Sequence, residues 1–282
     1  MPLGNCAAAY YLLAMPCRIE DRAVISLSGT DARSFLQGLI TNDMDALVPG
    51  KPLYAALLTP QGKILFDFLI VDDGTDAFLL DCWVPAREAL LKRLRMYRLR
   101  AKVEIESRDD LGIFASWDDA GLPGVAFTDP RLLALGQRAI APTQNGRKDT
   151  YLGHRLSLGV PEGSDFGSDR MFALDAGLDE LHAVAFDKGC YVGQELTARM
   201  KHRGTARKRL LPVESVEQSA LPAGVSLTAN GQVIGEITSV YDTRGFALVR
   251  LDRLDRLEQA HGGAIDANGV RVRVTKQPWL SA

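Results

Sequence analysis

The chain has 282 residues, 46% hydrophobic and 24% charged, with 33 Lys and Arg against 35 Asp and Glu, for a net charge of −2. That balance argues against a dedicated DNA-coating role, and no apolar run reaches the roughly 18–20 residues that span a bilayer. Cysteines at 6, 17, 82 and 190 form no C-x-x-C pair, which argues against a structural zinc site or a disulfide framework and fits a reducing compartment.

The apolar stretch 7–14 lacks a basic leader and reads as a first strand or a loose start, so a cytoplasmic location is expected. Residues 23–28 read as a strand closed by Gly29. Thr30-Asp31 then sits where a helix N-cap belongs, with Phe35, Leu36, Leu39 and Ile40 at helical spacing. Runs 53–58 and 63–71 predict a hairpin turning at Thr59-Pro60-Gln61-Gly62, and a third strand begins at 77. Pro85 opens a helix whose apolar face is Ala89, Leu90, Leu94 and Tyr97. Strands follow at 101–106 and 111–116, and a region rich in Gly, Pro and Asp covers 118–150. Residues 152–160 read as strand or helix. Beyond about 205, β-like runs at 209–216, 224–228, 232–241, 245–251 and 270–276 suggest a small antiparallel barrel. The expected division is 1–204, with a break near 105–150, and 205–282.

One segment concentrates chemistry: Phe186-Asp187-Lys188-Gly189-Cys190-Tyr191-Val192-Gly193-Gln194-Glu195. Gly189 and Gly193 permit close backbone approach. Residues 194–200 read as a helix start, and a cysteine just before a helix and two residues from a lysine is in a setting that favours thiolate. A small buried hydrophobe is the plain alternative.

Lys188 through Glu195 resembles the K-G-C-Y-x-G-Q-E signature of the YgfZ family, folate-binding proteins of iron–sulfur cluster assembly and repair related to the glycine cleavage T-protein, an aminomethyltransferase. Phe35 to Asp43 is similar to that family's F-L-Q-G-x-x-T-N-D segment, and Leu58 to Lys63, through Asp67, to its L-x-x-x-G-K/R hairpin. The resemblance implies an α+β, aminomethyltransferase-like fold of several parts around a central cavity for tetrahydrofolate or a derivative, with a C-terminal antiparallel β-barrel. It implies a role in maintaining 4Fe–4S proteins, radical tRNA-modifying enzymes included, with Cys190 as the functional thiol. A folate would be contacted by Asp67, Asn42, Tyr191, Gln194, Glu195, Lys188 and Arg199. The expected partners are folate, its polyglutamylated forms included, and iron–sulfur assembly proteins or 4Fe–4S client enzymes. No DNA, no membrane and no resident metal are expected, tRNA contact is disfavoured, and a monomer is implied.

Asp67 lies inside the apolar run Ile64–Ile70, where a carboxylate is costly to bury without partners. A pterin offers matching N–H donors; a solvated strand face is the alternative. T-proteins carry two adjacent aspartates here, and this chain has Phe66-Asp67. Asn42 lines the same cavity or serves turn chemistry. Tyr191 stacks on a ligand or packs in the core. Arg199, Lys201, Arg203, Arg207, Lys208 and Arg209 place six basic residues in eleven, a patch that steers polyglutamate, meets another acidic partner or RNA, or is a solvated linker. Lys92, Arg93, Arg95, Arg98 and Arg100 read as a solvated helix face. The four histidines share no metal-ligand spacing. One thiolate cannot hold a 4Fe–4S cluster, which takes four cysteines, so any cluster contact is shared or transient. An accessory factor is expected before an enzyme; a folate-dependent aminomethyl transferase or demethylase is the alternative.

Overall fold

The computed structural model describes residues 16–280 apart from 76, 119–120, 148–149, 205–206 and 260–262. The reading of 7–14, and Cys6, lie outside the described residues. In chain order come β1 Cys17–Ile19, β2 Arg22–Ser28, α1 Ala32–Gln37, β3 Leu53–Leu58, β4 Ile64–Asp72, β5 Ala77–Trp83 and α2 Arg87–Arg98. Then follow β6 Glu104–Ser107, β7 Leu111–Ser116, β8 Val125–Thr128, β9 Gln137–Pro142, α3 Tyr151–Leu158 and α4 Gln194–Arg203. The C-terminal part contains β10 Lys208–Ser215, β11 Ser226–Ala229, β12 Gln232–Tyr241, β13 Arg244–Arg250, α5 Leu251–Gln259, β14 Ile265–Ala267 and β15 Val270–Val274.

The β-branched and aromatic runs form the expected strands. One sheet has the order β3-β4-β5-β2-β6, a second β1-β7-β9-β8, and β10-β13-β12-β11-β14-β15 close into a barrel. Closure pairs β15 back onto β10, Val213 opposite Val274, leaving the barrel no free edge. Its filling is aliphatic, with Leu211, Leu227, Ile237 and Val249 each fully buried.

Several local expectations change. Asp31 makes no side-chain cap; its carboxylate accepts instead from the Lys102 backbone N–H at 2.8 Å. The buried face of α2 is Leu90, Leu91 and Leu94, not Ala89. Residues 151–158 are helix. Helix α5 was not anticipated, although Leu251, Leu254 and Leu257 carry a three-residue repeat and the last two are buried.

The chain divides into two compact units, neither a single run of sequence. The first comprises residues 1–57, 66–154 and 181–192; the second 58–65, 155–180 and 193–282. The expected cut at 204/205 falls just before β10, but the units themselves assign 155–180 and 193–203 to the barrel. Side-chain bonds explain this. Buried Asp165 accepts from Arg155 at 2.6 Å, from Ser239 at 2.6 Å and from Tyr241 at 2.9 Å. Arg209 of β10 pairs with Glu180 at 2.8 Å, and the Trp279 indole N–H donates to the Leu158 carbonyl at 3.0 Å.

In the first unit a buried charge network links the two open sheets. Arg138 on β9 donates to Asp81 on β5 at 2.6 Å and to Asp129 at 2.9 Å. Arg22 completes Asp81 at 2.6 Å, while Arg131 grips Asp129 through both its carboxylate oxygens. Burial pushes the Asp129 carboxyl up, but Arg131 and Arg138 outweigh it and hold the group below the usual carboxylate range.

Candidate functional site

The segment after α1 and the loop carrying Cys190 are fastened to each other, both within the first unit. Lys188 does the fastening. Its ammonium donates to the carbonyls of Gln37 and Ile40 at 2.8 Å each and of Asn42 at 2.6 Å. An ammonium has three donors, and these bonds use all three. The charge also lies 5.1 Å from the centroid of the Tyr191 ring. Burial pulls the Lys188 pKa down to about 8, with Asp43 and Asp45 opposing, so the group is still largely protonated at neutral pH. Lys188 therefore holds the loop, with its three N–H donors on backbone carbonyls.

Thr41 and Asn42 sew the same two segments together. The Thr41 hydroxyl donates to the Ala183 carbonyl at 2.6 Å and accepts from the Ala56 N–H at 2.8 Å. Asn42 donates its amide protons to the carbonyls of Tyr54 at 2.7 Å and His182 at 2.8 Å, and its carbonyl accepts from the Asp43 N–H. Asn42 thus anchors both the turn and the loop. Tyr191 is buried and its ring packs beneath the Lys188 ammonium.

Cys190 stands out by contrast. Cys17 and Cys82 are buried free thiols, whereas Cys190 is a free thiol exposed to solvent. Burial pushes the Cys82 thiol up to about 12, with Asp81 and Asp67 adding to the rise, so it is inert at neutral pH. The plain alternative for Cys190, a small core residue, does not hold.

Asp67 is only 5% exposed, which removes the solvated-face alternative. The Tyr54 hydroxyl donates to its Oδ2 at 3.0 Å. Tyr54 is fully buried, and the Arg131 guanidinium lies 5.3 Å from the centroid of its ring. Sequence reasoning did not reach Tyr54 and Arg131, because a Tyr in an apolar strand and an Arg in an irregular region carry no signal of their own.

The remaining members of the motif belong to the second unit. Gly193 precedes α4 at φ 84°, and a Cβ there would stand 2.5 Å from the Thr59 carbonyl oxygen. The hairpin turn at 59–62 and the start of α4 therefore need glycine where their backbones meet. Gln194 is half-buried. Glu195 and Arg199 pair at 2.5 Å on the exposed face of α4, each partly satisfied by the other. In the basic run, Lys201 bonds Asp179 at 3.0 Å and Arg209 bonds Glu180. Half of its six cations are thus ion-paired, which weakens the patch as a steering surface. Among the described residues no three His, Cys, Asp or Glu side chains gather as a metal site.

Residues 20–114 match the GCVT N-terminal domain, and residues 207–282 match the CAF17 C-terminal beta-barrel domain. The human mitochondrial iron-sulfur cluster assembly factor IBA57 is 32% identical over 276 residues, spanning 84% of this chain and 78% of the human protein. The chain belongs to the IBA57 family. The mouse IBA57 protein is 33% identical over 285 residues, with the same coverage of 84% and 78%. A Neurospora crassa IBA57 homolog is 34% identical over 239 residues; this chain spans 54% of that relative's length. The crystal structure of glycine cleavage system aminomethyltransferase T from Bartonella henselae superposes with a TM-score of 0.72 over 99% of this chain and 90% of that one. At 17% identity that likeness shows the fold alone, an aminomethyltransferase-like fold ending in a closed six-stranded barrel. The resemblance to YgfZ is thereby refined to IBA57 membership. The cytoplasmic expectation is corrected, because these IBA57 relatives are mitochondrial by name.

Proposed function

We propose that this IBA57-family chain acts in iron–sulfur cluster assembly or repair, supporting 4Fe–4S enzymes, with Cys190 as its working thiol and a tetrahydrofolate as its bound cofactor. The observation that carries the reading is the exposure of Cys190 on a loop anchored by Lys188, while the described cysteines elsewhere are buried. The IBA57 relatives, which are iron–sulfur cluster assembly factors, supply the pathway. A single thiolate supplies one ligand, so contact with a cluster is completed by other ligands, from a partner assembly protein or a client.

Folate fits the donor set at Asp67. A carboxylate buried in an apolar strand and bonded by the Tyr54 hydroxyl is an acceptor of the kind the pterin's N–H groups match. When bound, the folate would supply a one-carbon carrier or a reductant. Lys188 and Asn42 shape the neighbouring backbone and make no direct contact, and Tyr191 packs beside them.

The test is made in cells lacking the chain. The activity of a 4Fe–4S dehydratase is expected to fall and to return with the wild-type chain. Unchanged dehydratase activity would overturn the reading. Formation of 5,10-methylenetetrahydrofolate from an aminomethyl donor by the purified chain would favour a transferase instead.

A further inference from the structure

Helix α2 and the residues after it carry a surface that the site above leaves unused. From Ala89 to Val103 the chain has no acidic residue and six cations: Lys92, Arg93, Arg95, Arg98, Arg100 and Lys102. With these six set aside, 27 basic residues face 35 acidic ones, so the rest of the chain carries −8. Arg95 donates to the Ile105 carbonyl at 3.1 Å and Arg98 to the Val103 carbonyl at 3.3 Å. The other four cations have no acidic partner among the described residues, and Lys92, Arg100 and Lys102 are exposed. Among them stand Met96, 54% exposed, and Leu99, 86% exposed.

Cations in a last helical turn offset the helix dipole, which accounts for Arg95 and Arg98 but not for Leu99. Leu99 follows the helix at φ 45° and ψ −105°, a positive-φ backbone that glycine adopts without strain. A leucine there is unfavourable on two counts, a disfavoured backbone and an aliphatic side chain in water. Neither contributes to the core, whose share of α2 is Leu90, Leu91 and Leu94.

We infer that the C-terminal end of α2, residues 92–102, docks on the surface of a bilayer bearing anionic phospholipid. Leu99 and Met96 enter below the phosphate level while the surrounding cations meet lipid phosphates. A protruding aliphatic pair ringed by cations matches acyl chains beneath a plane of phosphates. Nucleic acid offers the phosphates but no apolar layer for Leu99. Surface docking needs no spanning segment, and no helix of the described residues is long and apolar enough to cross a membrane.

The test uses the full chain and vesicles of phosphatidylcholine alone or mixed equally with phosphatidylglycerol, sedimented at low salt. The wild type is expected to sediment with the mixed vesicles and not with the neutral ones. Reversing three cations, K92E with R100E and K102E, is expected to lower the partition coefficient at least about tenfold. Leu99→Gly separates docking from folding: it relieves the backbone and is expected to keep or raise the melting temperature while lowering vesicle binding. Equal binding to both vesicle types, wild-type binding by L99G, or retention on immobilised tRNA without vesicle binding would each overturn the inference.

Discussion

Replacing Lys188 by Met removes one ammonium and leaves three backbone carbonyls short of a donor. The expected cost is about 3 kcal/mol, read as a shift in the urea midpoint at constant slope. Lys188→Arg is not expected to rescue it, since a planar guanidinium does not fit three carbonyls arranged around a point. Cys190→Ser, on an exposed side chain, is expected to leave the midpoint within about 0.5 kcal/mol of wild type. If both variants lose function, stability separates their reasons. At this scale the sequence marked Cys190 through its flanking glycines. The duty of Lys188 was hidden, because its three acceptors lie about 150 positions away along the chain. Asp67 was legible as an anomaly, a carboxylate in an apolar strand, but its Tyr54 partner was not.

Elements show where close approach was encoded. Gly193→Ala would push a Cβ onto the Thr59 carbonyl and strain a left-handed backbone, at an expected cost of about 2–3 kcal/mol in the melting of the second unit. Gly231, with a positive φ but open space around it, is the control, and Gly231→Ala is expected to cost only about 1 kcal/mol. In the same unit, burial pushes the Asp175 carboxyl up to about 6 from its ordinary 3.8, with Lys208 and Arg209 opposing. Between those values the folded state keeps a proton that the unfolded state has released. This contribution is therefore full below 3.8 and is lost as pH rises through about 6. Asp175→Asn is expected to match the wild type at about pH 4 and to exceed it by about 2 kcal/mol at about pH 8, measured by chemical denaturation. Strands and the hairpin were readable because period-two runs lie between strong turn residues. Helix α5 escaped because a short repeat of leucines follows directly on β13 with no breaker between them.

For the whole molecule, the deciding contacts join distant stretches of chain. Asp129→Ala would leave Arg131 and Arg138 buried beside each other with their shared carboxylate gone, and a loss of about 3–5 kcal/mol is expected in the first unit. Substitution of the exposed, partly paired Arg244 is expected to change stability by less than about 1 kcal/mol. Nothing in the sequence of 118–150 announced that Arg131 and Arg138 are buried, since Arg is ordinarily a surface residue. The barrel was visible as a change of texture after 205, yet the packing of 155–180 with it rests on Asp165 and Glu180, whose partners only the fold brings near. Membership of the IBA57 family then turns attention from the architecture to one thiol. The most direct measurement replaces the gene with wild type or Cys190→Ala at matched protein levels and quantifies the modified nucleoside made by one 4Fe–4S tRNA-modifying enzyme. Cys190→Ala is expected to remain folded and to fail; full restoration of the nucleoside by that variant would contradict the account.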